Sequence, residues 1–178
     1  MRIRNYRWEY LSALVRIQQE AAQFDGTAIR GEEEFVAWLR DPELDAVSNV
    51  FIITDDDDEL MLWGQAGTLE GIEGEVAGYT VVQLCQDQQG YHLLCEGTVQ
   101  PEYRHQHAGR ALLVGAMNRA RVLAAEFEFE AEREGIPVYF EVLFSRSDPA
   151  SSYLAAKCEM YPTDERAPAG MQLYRREL

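Results

Sequence analysis

The apolar residues of this chain change period near His107, and that change limits the folds within its reach. Tyr91–Val99 follows the polar turn Gln86–Gly90 and reads as a strand. From Ala108 onward the apolar positions Leu112, Ala116, Ala120 and Ala124 recur at helical spacing, with Leu113, Met117 and Leu123 beside them. The sequence Val99–Leu113 (VQPEYRHQHAGRALL) joins the two: Pro101 ends the strand, a polar loop follows, and the helix opens near His107 or Ala108. The spacing predicts one long helix, continuing through Glu126–Glu134 until Gly135 and Pro137 stop it.

The rest of the chain is read around this junction. Arg2–Arg7 is a first strand, and Tyr10–Ala22 and Gly31–Arg40 are two helices, the second closed by Asp41-Pro42. Asn49–Thr54 and Val76–Leu84 are strands, and the turn Gln86–Gly90 leads into Tyr91–Val99. Val138–Phe144 is an apolar strand. Asp148-Pro149 caps a helix over Ala150–Glu159, and Met171–Arg175 is a last strand. The acid run Asp55–Asp58 lacks the alternating oxygen ligands and turn glycine of a calcium loop and reads as a solvated turn. Leu60–Glu75, with Gly64, Gly67, Gly71 and Gly74, reads as a hairpin or insertion. The order β-α-α-β-β-β-α-β-α-β gives an α+β chain, a single mixed, mostly antiparallel sheet flanked by helices. No linker divides it, so residues 1–178 are expected to form a single domain.

Composition narrows the function classes. The formal net charge of −15 argues against a nucleic-acid partner and suits a cationic one. No apolar run reaches the length of a membrane span, and the charged start MRIRNYRWEY lacks the apolar core of a signal peptide. A cytoplasmic location is expected. Cys85, Cys95 and Cys158 have no CxxC spacing, so no metal site is expected and all three are read as buried, reduced thiols.

Against that acidic background, Pro101–Ala125 holds four arginines (Arg104, Arg110, Arg119 and Arg121) and one acid, Glu102. A helix start exposes unpaired N–H groups and a partial positive charge, a setting suited to phosphate oxygens. Gly109 allows a ligand close to the backbone, and Arg104 and Arg110 can add charge-assisted bonds. A plain strand–helix turn with solvated arginines stays open as the alternative. The Walker lysine signature and the complete GxGxxG fingerprint are both absent.

The segment resembles the pyrophosphate motif V-x-P-x-x-R-x-x-G-x-G-R-x-L-L of the GNAT-type N-acetyltransferase superfamily. Val99, Pro101, Arg104, Gly109, Arg110, Leu112 and Leu113 fall in its register, and His107 stands at its first glycine. The element order resembles that acyl-CoA N-acyltransferase fold along nearly the whole chain. The resemblance implies acetyl-CoA as co-substrate, held by main-chain amides of His105, Gln106, His107, Ala108, Gly109 and Arg110. It also implies that Val99 pairs with the pantetheine arm as a short added strand. The implied activity is acetyl transfer, in a ternary complex, to a primary amine of a small molecule or peptide.

Such a transfer needs a base and an acid. An alkylamine with pKa near ~10.4 is cationic at pH 7 and must lose a proton, which a carboxylate can take. Glu96 and Glu141 are the candidate bases, and Glu96 is preferred because it adjoins the motif. The family pattern E-V-x-x-x-N-x-x-A-x-x-L-Y puts Glu141 and Val142 at its start and Tyr153 at its tyrosine, the candidate acid for the departing thiolate. Arg146 replaces its asparagine, Pro149 its alanine and Ser152 its leucine. His92 reads as a structural strand residue. Tyr10, Phe24, Phe35 and Trp38 are candidates for an aromatic acceptor pocket. Two further readings stay open: a non-catalytic acyl-CoA-binding or protein-interaction domain of this fold, and one half of a tandem acetyltransferase. The final strand Met171–Arg175 is a candidate for pairing across a homodimer.

Overall fold

The computed structural model describes residues 1–27, 30–55, 74–87, 90–146, 148–163, 167–168 and 170–178. The acidic turn beyond Asp55, the glycine-rich stretch up to 73 and the centre of the turn at 88–89 lie outside the described residues. The strands are β1 (Arg2–Asn5), β2 (Val50–Asp55), β3 (Glu75–Asp87), β4 (Gly90–Val99), β5 (Val138–Ser145), β6 (Tyr161–Thr163) and β7 (Met171–Glu177). The helices are α1 (Leu11–Asp25), α2 (Glu32–Leu39), the single turn α3 (Ala46–Asn49), α4 (Ala108–Glu134) and α5 (Pro149–Lys157). The ten strands and helices of the expected order β-α-α-β-β-β-α-β-α-β form, with ends shifted by a few residues.

The strands join in one seven-stranded sheet of order β1-β2-β3-β4-β5-β7-β6. β1 pairs antiparallel with β2, and β7 pairs antiparallel with both β5 and β6. β4 and β5 are parallel, since α4 carries the chain back to the start of the sheet between them. This is the mixed, mostly antiparallel sheet expected. Pairing of β4 with β5 runs from Tyr91–Val138 to Cys95–Val142, and Glu96–Val99 continue β4 beyond that ladder.

One strand is additional to those expected, and it changes one expectation. The three-residue strand β6 was not anticipated, because Tyr161–Thr163 contains a proline and carries no alternation of its own. Its pairing with Leu173–Arg175 gives it a place. As a result β7 has a neighbour on each side, so the stretch Leu173–Arg175 is not an edge available to a second copy.

The fold comprises two compact units, Met1–Thr80 with Gly97–Leu112, and Val81–Glu96 with Leu113–Leu178. In the first, Phe35 is fully buried with its ring 5.7 Å from Tyr79. A separate cluster of Ile53, Ala77, Ala108 and Leu112 packs with Val99 and Tyr103, seating the first turns of α4. In the second, Val82, Leu93, Cys95, Phe140 and Val142 face Ala116, Met117, Ala120, Ala155 and Cys158. The alanine stripe read at helical spacing is thus the buried face of α4.

Tyr6 is 1% exposed, meets Trp8 edge-on at 5.4 Å, and its hydroxyl has no hydrogen-bond partner among the described residues. Burial pushes its pKa up to about 12, a rise that the Arg40 charge partly opposes. The folded state therefore favours the protonated phenol. Its contribution is whole below pH 10 and is lost as the pH climbs from 10 toward 12. Tyr6→Phe is expected to leave stability at pH 7 unchanged or slightly higher and to shrink the alkaline loss, as read by urea unfolding at pH 7 and pH 11.

Candidate functional site

The loop after β4 is set by backbone contacts. A Cβ on Gly97 would strike the Tyr79 carbonyl oxygen, and one on Gly78 would lie 2.7 Å from the Thr98 carbonyl oxygen. Without side chains there, the β3 and β4 backbones close up, and the Gln100 N–H donates to the Ala77 carbonyl at 2.8 Å. Pro101–Tyr103 then makes one turn of 3-10 helix. The Gln100 and Gln106 side-chain amides donate to the Glu102 carboxylate (2.8 Å) and carbonyl (2.9 Å).

Two residues of the loop, His105 (φ 63) and His107 (φ 69), lie in the left-handed region, which favours glycine. His107, at the motif's first glycine, keeps the glycine backbone conformation with an imidazole attached. Its carbonyl accepts the first bond of α4, from Ala111 N–H at 3.0 Å. The N–H groups of Ala108, Gly109 and Arg110 therefore open the helix with no intrahelical acceptor. The space at Gly109 is open: an added Cβ would find only Val99 Cγ2, at 3.9 Å. Such a cradle of amides around an uncrowded glycine fits a pyrophosphate. The side chains of His105, Gln106, His107 and Arg110 are exposed, and Ala108 is buried under the helix. A cavity of about 390 Å³ beside the loop has Ile3, Ile53 and Ala111 as apolar walls and Asp55, Gln106 and His107 as polar ones.

Arg104 departs from its expected surroundings. Its Nη1 and Nη2 donate to the two carboxylate oxygens of Asp25 at 2.6 and 2.8 Å, and its Nε donates to the Val99 carbonyl at 3.2 Å. The basic island read from the sequence is thus partly neutralised by an acid from α1. Tyr103 lies in an acidic setting; burial and then the charges of Glu75, Asp55 and Glu102 hold its phenol above its ordinary pKa.

Glu96, Glu141 and Tyr153 belong to the second unit. Phe140, Val142 and Cys95 point into the core shared with α5, so by alternation Glu141 and Glu96 point to the opposite face of the sheet. Glu141 is 4% exposed; one of its oxygens accepts from Arg175 Nε at 2.7 Å and lies 3.1 Å from His92 Nδ1. His92 Nε2 lies 3.2 Å from an Asp87 oxygen. The Arg175 guanidinium stacks 4.4 Å from the Tyr139 ring centroid. The His92 ring thus lies between two carboxylates, and its Nδ1 makes no hydrogen bond among the described residues. Sequence reasoning missed Asp87 and Arg175 because their partners come from other strands. Tyr153 is 67% exposed on α5, with Lys157 Nζ 5.2 Å from its ring centroid. The sheet face carrying Glu96 and Glu141 is therefore not the face covered by α5.

Several side chains read from the sequence have other surroundings. Tyr10 and Phe35 are core residues, whereas Phe24 is 71% exposed beneath Arg104 and Trp38 packs under Arg30 at 4.2 Å. Arg146 Nε donates to the Met171 carbonyl at 2.8 Å. All three cysteines are free thiols, but Cys85 is exposed, contrary to expectation, together with Leu84 and Gln86 at the far end of β3. Among the described residues no group of His, Cys, Asp and Glu could hold a metal, and no helix is long and apolar enough to cross a membrane.

Cys85 reports on the carboxylates of its sheet. Burial, then the charges of Glu141, Glu96 and Asp87, raise its pKa above that of an ordinary thiol. Removing the Glu96 charge lowers that pKa and enlarges the thiolate fraction. Glu96→Gln is expected to speed alkylation of Cys85 by iodoacetamide at pH 8 on the order of twofold, read by peptide mass spectrometry.

The sequence matches no family model and no curated protein. Its structure resembles solved ones along its whole length. A ribosomal-protein-alanine N-acetyltransferase from Brucella melitensis is matched over 100% of both chains, with a TM-score of 0.60 and 16% identity. A GNAT-family acetyltransferase from Streptococcus pneumoniae is matched over 99% of both chains, with a TM-score of 0.61 and 13% identity. The ribosomal-protein-S18-alanine N-acetyltransferase from Escherichia coli has a TM-score of 0.58 and 17% identity, over 99% of this chain and 92% of that one. The chain has the acyl-CoA N-acyltransferase fold of the GNAT superfamily.

Proposed function

We propose that residues 1–178 form a single acetyltransferase domain that moves an acetyl group from acetyl-CoA to a primary amine of a small molecule or peptide. The observation that carries this reading is the open cradle at the head of α4. The amides of Ala108, Gly109 and Arg110, which have no intrahelical acceptor, follow a left-handed His107, and a Cβ at Gly109 would meet only Val99 Cγ2, at 3.9 Å. Acetyl-CoA supplies an activated thioester when bound. Val99, His105, Gln106, His107, Ala108, Gly109 and Arg110 are the residues that would hold it, Val99 by lending the strand edge beyond the β4–β5 ladder.

The remaining work falls to side chains. Glu96 is the proposed base, taking the ammonium proton of the acceptor. Glu141 is the second candidate, but its carboxylate already accepts from Arg175 and faces His92, contacts that tie it to its own sheet. Tyr153 is the proposed acid, returning a proton to the departing thiolate. The net acidity of −15 favours a cationic amine over nucleic acid, and the three free thiols suit the cytoplasm. His107 favours a second reading, a domain that binds acyl-CoA without transfer, because an imidazole replaces hydrogen where the pyrophosphate would approach.

Isothermal titration with acetyl-CoA separates these readings from a bare scaffold: no binding at hundreds of micromolar removes the cofactor assignment. Binding with no thiol release across a panel of amines leaves the non-catalytic reading. Gly109→Ala is expected to keep or slightly raise the melting temperature, since its Cβ meets only Val99, while weakening acetyl-CoA affinity about tenfold or more. Tyr153→Phe should lower turnover about 100-fold with cofactor affinity nearly unchanged, and Glu96→Gln should do likewise.

A further inference from the structure

Arg104 is one of the residues a bound pyrophosphate would be expected to meet, yet three of its donor nitrogens are turned toward the protein. The fork closes on both oxygens of Asp25 at 2.6 and 2.8 Å, Nε reaches the Val99 carbonyl at 3.2 Å, and the guanidinium carbon lies 5.3 Å from the Phe24 ring centroid. Only arginine offers that planar pair of parallel donors.

Asp25 is an unexpected choice for its own helix. It is the last residue of α1, just before the left-handed Gly26 (φ 64). A carboxylate there meets the negative end of the helix dipole and is disfavoured unless a cation answers it. Arg104 is that cation. The loop it begins has a cost to be held against, since His105 and His107 both keep left-handed backbones without being glycine. Downstream the loop is tied by Ala111 N–H to the His107 carbonyl at 3.0 Å. Upstream the side-chain ties are the Arg104 fork, which reaches a separate element, and the Gln106 amide on the Glu102 carbonyl within the loop.

We propose that Asp25 is a positioning residue for the cofactor loop. It holds Arg104 as a strut that fixes the turn 104–107, so the amides at the head of α4 are ordered before acetyl-CoA arrives. Arg104 then serves loop geometry, and the phosphate is met by main-chain N–H groups. This inference rests on the acetyl-CoA reading above.

Asp25→Asn and Arg104→Lys separate the strut from a phosphate ligand. Each is examined for acetyl-CoA affinity by titration, for turnover at saturating acetyl-CoA, and for amide hydrogen exchange at His105–Ala108 with Ala116–Ala124 as the folded reference. The strut predicts about tenfold weaker acetyl-CoA binding in Asp25→Asn, unchanged turnover at saturation, and faster exchange confined to the loop. Arg104→Lys, which keeps the charge and loses the fork, should show the same weaker binding and the same loop-confined exchange, and the double variant should be no weaker than Arg104→Lys alone. The opposite sign overturns the proposal: if Arg104 is a phosphate ligand, freeing it with Asp25→Asn tightens binding and steepens its salt dependence. Should the unaltered chain fail to bind acetyl-CoA, the functional reading falls, and exchange decides the strut alone. Unchanged loop exchange in Asp25→Asn then overturns it, and faster exchange confined to the loop upholds it.

Discussion

The backbones of β3 and β4 meet so closely at Gly78 and Gly97 that no side chain fits on either, and the candidate site hangs from that contact. The Gly97 position abuts the Tyr79 carbonyl, and the Gly78 position lies 2.7 Å, measured from an ideal Cβ, from the Thr98 carbonyl oxygen. Closing the strands there brings the Gln100 N–H onto the Ala77 carbonyl and fixes where β4 stops. Pro101 then forces the 3-10 turn, and Ala108 and Leu112 lock the first turns of α4 onto Ile53 and Ala77. The open amides at the head of α4 are a consequence of this seating. A helix must begin with unpaired donors, and here the packing decides where they begin.

Charge is distributed differently from its count in the sequence. Arg104 belongs to a run of arginines but is answered by Asp25, from a helix far earlier in the chain. On the second unit, Glu141 sits in an apolar strand and would be costly to bury alone; Arg175 supplies its partner, and His92 lies beside it. The two candidate bases share a sheet face, and their fields meet at Cys85, whose thiol they hold above its ordinary pKa after burial has raised it. Environment therefore divides the two carboxylates more than residue type does. Glu141 is committed to a buried network, and Glu96 stands next to the loop in sequence, where β4 has passed the end of its ladder with β5.

The long helix, the strands around it and the mixed sheet were legible because their signals are periodic and local. The helical spacing of Leu112, Ala116, Ala120 and Ala124 names the buried face of α4 outright, and Asp148-Pro149 marks the head of α5, where the Asp148 carboxylate accepts from Ala150 N–H at 3.0 Å. The short strand β6 was not legible, since Tyr161–Thr163 is a strand only by virtue of Leu173–Arg175 beside it. Cys85 reads as a buried thiol like the other two cysteines, yet it lies in the exposed stretch 84–86 at the far end of β3.

The sequence by itself determined the strand–loop–helix junction at Val99–Leu113, its glycine at Gly109 and the acidic character of the whole, because these depend on neighbours along the chain. Tertiary structure alone decided that His107 takes up a left-handed backbone, that Arg104 faces Asp25, and that Glu141 faces Arg175 and His92. The physical reason is one of range. Periodicity and turn chemistry act over a few residues. The partner of a charge is whatever residue the fold brings within hydrogen-bond reach, 79 positions away for Arg104 and 34 for Glu141.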